Sequence, residues 1–171
     1  MKASDTCSPP VALFTVVCRW ISSGFGSGYA SAAPGSCGSA AALLFFGLLW
    51  WFDIVSSPLH CAVLAAATTV VGLGAVHVCV SKSGEKDPRW IVIDEWAGVF
   101  VALIGMSAPV PLMALAAFVF FRVFDILKPG PVAWAERLPG ALGIMLDDIV
   151  AGVLAGLCVQ AIWSLWGSVL A

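Results

Sequence analysis

Four stretches of the chain carry no Asp, Glu, Lys or Arg: residues 20–52, 54–81, 96–121 and 149–171. Runs this long and this apolar read as helices that cross a membrane. Prolines and glycines subdivide them. Residues 24–39 are rich in Gly, Ser, Ala and Pro and read as a loop. A first crossing helix is predicted over 40–55, somewhat short, ending near Asp53 and Pro58. Residues 59–80 give 22 uncharged positions, about 33 Å at 1.5 Å per residue, enough to cross. A polar loop follows at 81–88. The next apolar helix covers 96–106 and can start as early as Trp90, which puts Asp94 and Glu95 in its first turns. The prolines of 107–111 signal a turn. A helix over 112–127 ends before Pro129 and Pro131, and 132–146 is mixed, with a short helix near Trp134. Residues 149–170 form the last span, while 11–21 are too short to cross and suit the membrane interface. The expected fold is all-α: an integral membrane helical bundle of about five membrane helices plus an interfacial N-terminal helix. One domain is expected over 1–171, with 1–21 as the interfacial segment and 22–171 as the catalytic bundle.

Composition agrees with this pattern. The chain has 171 residues, 61% hydrophobic and 11% charged, against about 25% charged in soluble domains. A net charge of −2 gives no argument for nucleic acid. The six cysteines form no C-x-x-C pair, so neither disulfides nor a zinc site is expected. Arg19 interrupts 11–21 and no A-x-A-like site follows that segment directly, which argues against a cleaved leader. Threading the helices alternately puts the loops at 24–39, 81–88 and 128–148 on one side, with all eight Lys and Arg on or near it. By the positive-inside rule that side is cytoplasmic.

The acids are concentrated where the apolar runs end. Asp94, Glu95, Asp125, Glu136, Asp147 and Asp148 all stand beside or at the tips of such runs. Carboxylates at the mouth of a lipid-embedded bundle need a partner, usually a cation. Basic residues share the same short segments, among them Arg122, Lys128 and Arg137. A metal ion holding a phosphate at the membrane surface uses both sets. Mg²⁺ takes oxygen ligands, and Asp94, Glu95, Asp125, Asp147 and Asp148 form its candidate pool. Simpler roles are open to each alone. Asp147 and Asp148 can cap the last helix, Arg122 and Asp125 can pair at i,i+3, and Asp94 and Glu95 can be first-turn acids. Gly35-Ser36-Cys37-Gly38-Ser39 leads into a helix expected at Ala40, so its backbone N–H groups form an anion site or a close-packed turn.

Three separated blocks resemble the phosphatidylglycerophosphatase A family. The first is Gly24-Phe25-Gly26-Ser27-Gly28 with Pro34-Gly35-Ser36-Cys37-Gly38-Ser39, and the second is Ile91-Val92-Ile93-Asp94-Glu95-Trp96-Ala97-Gly98. The third runs from Phe121-Arg122-Val123-Phe124-Asp125 through Lys128-Pro129-Gly130-Pro131 to Leu146-Asp147-Asp148. Gly130 stands where the family usually has tryptophan, and Ser36 where it usually has threonine. The resemblance implies a Mg²⁺-dependent hydrolase of phosphatidylglycerophosphate, a bilayer lipid, serving glycerophospholipid biosynthesis from the cytoplasmic face of a bacterial inner membrane. It implies Asp94, Glu95, Asp125 and Asp148 as catalytic residues. Substrate contacts are expected from Arg122, Lys128, Ser36, Gly35, Gly38 and Gly28, and metal ligands from the five acids named above.

Other chemistries lack their signatures. No cysteine is followed at the right spacing by the arginine that a cysteine phosphatase needs, and no D-x-D-x-T/V or D-G-x-x-A-R motif is present. A carboxylate-lined cation transporter is the main alternative, and it requires acids at mid-membrane depth. A non-catalytic membrane assembly protein of the same fold is the other.

Overall fold

Proline placement sets most of the helix starts. In the computed structural model, which describes residues 9–85, 87–106 and 111–170, α1 (Pro9–Ser22), α2 (Pro34–Trp51), α3 (Pro58–Ser83) and α5 (Pro111–Leu127) each open on a proline. The fixed φ and missing N–H of proline suit the first helical position. The remaining helices are α4 (Ile93–Leu103), α6 (Gly130–Glu136, just after Pro129) and α7 (Ala141–Leu170). Among the described residues there is no strand. Most of the turn expected at 107–111, Lys86, and residues 1–8 of the interfacial segment lie outside the described residues.

The helical membrane bundle is thus as expected, but two boundaries shift. α2 starts at Pro34, so Gly35 to Ser39, expected in a loop, occupy its first two turns. α7 starts at Ala141, directly after Gly140 at φ 61°, so Asp147 and Asp148 lie well inside the helix and do not open it. Their side chains therefore cannot cap its N-terminus. Three helices are long and apolar enough to cross a membrane, namely α2, α3 and Ala141–Leu165 of α7. α5, with 17 residues, is about 26 Å long. α4, expected as a crossing, has 11 residues and is about 16 Å long, half of a hydrocarbon core. A half-length helix is tolerated at membrane depth where protein surrounds it. Nine of the α4 residues are buried, with α7, α3, α2 and α5 packed around it.

The contact between α4 and α7 is made by small residues, as is common between membrane helices, where close approach of backbones replaces hydrophobic burial. A Cβ at Gly98 would stand 2.8 Å from the Asp148 backbone oxygen and overlap the Phe121 ring. A Cβ at Gly152 would overlap the Gly98 carbonyl, and one at Gly105 the Gly156 carbonyl. The two helices run in the same direction. One turn before this glycine contact, α4 carries Asp94 and α7 carries Asp148. The packing of 98 against 152 therefore brings those two acids together.

The chain before α4 is pinned to the N-terminal part. The Val92 N–H donates to the Ser22 carbonyl at 2.9 Å, and Trp96 Nε1 donates to Ser27 Oγ at 3.4 Å. Gly28 and Gly38 pack against this segment. A Cβ on Gly28 would overlap the Trp90 carbonyl, and one on Gly38 would meet the Val92 side chain at 2.6 Å. At the same end Arg19 donates to the Tyr29 hydroxyl at 3.0 Å and lies over the Trp90 ring, an arrangement suited to a membrane interface.

Candidate active site

Four helix ends meet at one end of the bundle. They are the N-termini of α2 and α4, the last turns of α5, and the second turn of α7. Asp94 and Glu95, in the first turn of α4, meet Asp148 of α7, and one carboxylate oxygen from each lies within 4.8 Å of the others. Asp94 and Asp148 are buried and Glu95 is half-buried. Asp94 Oδ1 accepts the Glu95 N–H at 3.1 Å, but Glu95 Oε2 is a buried oxygen without a hydrogen-bond partner.

Arg122 comes to the same place from α5. Its Nη1 pairs with Asp125 Oδ2 at 2.6 Å and donates to Ser39 Oγ at 3.2 Å. Ser39 in turn donates to the Gly35 carbonyl at 2.8 Å, fixing the first turns of α2 beside the arginine. Arg122 Nε is buried and without a partner. Gly35 stands between the two charged groups. A Cβ there would overlap Glu95 Oε1 and lie 3.5 Å from Arg122 Nη1. Asp125 lies within electrostatic reach of both Glu95 and Asp148.

Asp147 is turned elsewhere. Neighbouring residues on a helix point about 100° apart, so with Asp148 facing α4, Asp147 faces α5 and α6. Its Oδ2 accepts from Lys128 Nζ at 3.0 Å. Lys128 also reaches Glu136 Oε1 at 2.6 Å, tying the end of α5 to α6 and α7. Burial pulls the Lys128 ammonium down. The hydrogen bonds and charges of Glu136 and Asp147 outweigh that and hold it above the ordinary lysine value. Lys128 adopts φ 44°, the left-handed turn that redirects the chain towards Pro129.

Of the expected residues, then, the structure gathers Asp94, Glu95, Asp148, Asp125, Arg122 and Gly35. Lys128 and Asp147 pair with each other beside that group. Gly28 and Gly38 face the segment before α4. Ser36 lies in the first turn of α2, where the Cys37 N–H is already bonded to Ala33 and those of Gly35 and Ser36 remain free of the helix ladder. Two neighbours of the site, Ser39 and Glu136, stood out in the sequence, one in the small-residue block and one among the acids, but neither side chain was assigned a role. Ser39 was legible in principle as the i+4 neighbour of Gly35, had α2 been read from Pro34. Glu136 carried no signal that it would reach Lys128.

Three carboxylates this close can all stay charged only if a cation stands among them. Opposed oxygens around Mg²⁺ are about 4.2 Å apart and around Ca²⁺ about 5 Å, so the group has the span of a hard-cation site. The unpartnered Glu95 oxygen fits the same description.

The phosphatidylglycerophosphatase A profile matches residues 20–163, most of the chain and every helix of the site. The chain belongs to the phosphatidylglycerophosphatase A family. Membership makes it a phosphatase, as the three sequence blocks implied. The Escherichia coli K12 phosphatidylglycerophosphatase A is 35% identical over 134 residues, covering 77% of this chain and 75% of that protein. The Haemophilus influenzae Rd phosphatidylglycerophosphatase A is 37% identical over 143 residues, 81% and 84% of the two chains. A Bacteroides thetaiotaomicron VPI-5482 protein named for a phosphatidylinositol-3-phosphatase activity is 35% identical over 136 residues, 78% and 85% of the two. No solved structure matches the chain.

Proposed function

We propose that the chain is a Mg²⁺-dependent lipid phosphatase that hydrolyses phosphatidylglycerophosphate to phosphatidylglycerol and inorganic phosphate, a step of phospholipid biosynthesis. One observation carries the reading. Within one buried site the fold leaves an acceptor, Glu95 Oε2, and a donor, Arg122 Nε, both without partners. Orphaned buried polar atoms are costly, and these two ask for a cation and for an anion. A divalent ion together with a phosphomonoester answers both.

Asp94, Glu95 and Asp148 would hold the ion. When bound, it supplies charge neutralisation at the phosphoryl group and a more acidic water. The chain's own contribution is positioning. Arg122 offers Nε and its remaining guanidinium donors to the phosphate, while Asp125 and Ser39 hold Nη1 and so fix the plane of the fork. The free N–H groups of Gly35 and Ser36 add donors at the positive end of α2. Lys128, engaged by two carboxylates, keeps α6 and α7 in register with α5 and adds positive potential at longer range. Negative charge moving onto the leaving glycerol oxygen is stabilised by donors already in place, which is where phosphoryl-transfer catalysis gains most.

The described Arg19, Lys82, Arg89, Arg122, Lys128 and Arg137 all lie at the site end of the bundle, and the opposite turn at 52–57 carries Asp53 and no base. That asymmetry supports a site on the cytoplasmic face of the inner membrane. A transporter is disfavoured too, since Asp94, Glu95, Asp125, Asp147 and Asp148 gather at that one end and do not line a path through the bundle.

The test is phosphate release from phosphatidylglycerophosphate by detergent-solubilised protein, with Mg²⁺ and with EDTA, and with phosphatidylinositol-3-phosphate as the second substrate. Turnover is expected on the first substrate only, abolished by EDTA and reduced at least about 100-fold in Asp94→Asn and Asp148→Asn. Faster release from the inositol lipid would move the substrate to that class, and metal-independent turnover would defeat the site.

A further inference from the structure

The face of α2 that carries Gly35 and Ser39 continues beyond the polar site. Steps of three or four residues lead from Ser39 to Leu43, Phe46 and Trp50, which lie one below another on that same face. α5 does the same opposite it, from Arg122 to Leu115 and Pro111, with Ala114 alongside. These six apolar residues line a cavity of about 170 Å³ between the two helices. At 1.5 Å per residue it begins roughly 6 Å below the Arg122–Ser39 hydrogen bond and ends about 17 Å below it. The slot is half-open and its lining is almost wholly apolar, so it suits a stretch of hydrocarbon chain.

We propose that the cleft between α2 and α5 seats one acyl chain of the lipid whose phosphate is held at Arg122. The inference rests on the lipid phosphatase reading above and adds a determinant of chain length. The two helices that grip the headgroup also form the slot into which its chain hangs, so one rigid pair aligns both ends of the substrate. A phosphate held at Arg122 places the glycerol and the first methylenes at the upper edge of the slot, beside Leu43.

Gly47 lines the same cavity, and a Cβ there meets nothing within 4 Å. Gly47→Phe therefore adds bulk at that wall of the slot from a Cβ with open space around it, and it replaces a poor helix former. The variant is expected to raise KM for dioleoyl phosphatidylglycerophosphate about tenfold, the equivalent of roughly two buried methylenes. Its kcat/KM for the dihexanoyl lipid, whose chains are too short to fill the slot, should stay within about twofold of wild type. Unchanged long-chain kinetics, or an equal loss on both lipids, would overturn the assignment. A wild type inert on both lipids would instead overturn the phosphatase reading.

A second measurement does not depend on the variant folding. Wild-type protein is irradiated with phosphatidylglycerophosphate bearing a mid-chain diazirine, and the adducts are mapped. Adducts on Phe46 and Leu115 that unlabelled phosphatidylglycerophosphate displaces and phosphatidylcholine does not would support the cleft. Equal labelling by a phosphatidylcholine probe would show bulk lipid only. Adducts confined to the separate groove at Trp96 and Phe100, about 350 Å³ in volume, would also sink it.

Discussion

Gly35→Ala separates the requirements of the site from those of the fold. The new methyl would overlap Glu95 Oε1 and stand 3.5 Å from Arg122 Nη1. Glu95 ends in a flexible side chain, so the carboxylate retreats and the backbone does not move. Restoring van der Waals contact takes about 1 Å, and a displacement of about 1 Å in a catalytic constellation costs on the order of 10²-fold in rate, near 2.7 kcal/mol. Stability moves the other way or not at all, because alanine is favoured over glycine in a helix by up to about 1 kcal/mol. The assay pairs phosphate release across a Mg²⁺ titration with a melting curve in the same detergent. The expected result is a melting temperature at or above wild type, with turnover down about 100-fold and the Mg²⁺ midpoint raised. Gly74→Ala, with open space around its Cβ and no place in the site or the slot, is the control and should match wild type. A Gly35→Ala enzyme of wild-type activity at every Mg²⁺ concentration would show that Glu95 plays no part in the site.

Two further outcomes follow from the packing. Gly98→Leu drives a side chain into the Phe121 ring and the Asp148 backbone. It should destabilise the bundle by about 1–3 kcal/mol or more and abolish turnover, whereas Gly74→Leu, facing open space, should cost under about 0.5 kcal/mol, both read as melting temperature. Lys128→Met leaves Asp147 without its ion-pair partner and should lower the melting temperature. The folded Lys128 titrates above its ordinary value of 10.5, so its stabilising contribution is complete below that pH and fades as pH rises past it. The gap between wild type and Lys128→Met should therefore be constant through neutral pH and narrow only in strong alkali.

Much of the fold was legible because its signals are local. The uncharged run at 59–80 became α3, and the prolines at 111 and 129 bracket α5 as expected. The acids at 94 and 95 fall in a first turn, as the earlier start allowed. The first turns of α2 were misread because Gly, Ser and Pro together resemble a loop. The opposite cue, a proline at the first helical position, was present at Pro34. α7 was started too late for a related reason. Two adjacent aspartates look like a helix start, whereas they sit inside the helix because α4 covers one and Lys128 neutralises the other. The shortness of α4 was legible in the 11 residues of the run at 96–106, but what lets so short a helix sit there was not. Its shortness depends on being surrounded by four other helices, a tertiary fact that no local pattern carries.

The convergence of the acids was expected from the cost of isolated carboxylates at a membrane together with the family resemblance. What brings Asp94 to Asp148 is the Gly98–Gly152 contact one turn deeper, and each glycine read alone is only a small residue in an apolar run. Ser39 shows the same limit. Its hydroxyl matters through Arg122, 83 positions away in sequence.

The most direct measurement is Mn²⁺ binding by electron paramagnetic resonance, on wild type and Asp148→Asn in detergent, without substrate. One tightly bound ion in the wild type, displaced by Mg²⁺ and weakened at least about tenfold by the asparagine, is the predicted result. Equal Mn²⁺ binding by the two proteins would contradict the claim that α4 and α7 meet to hold a cation.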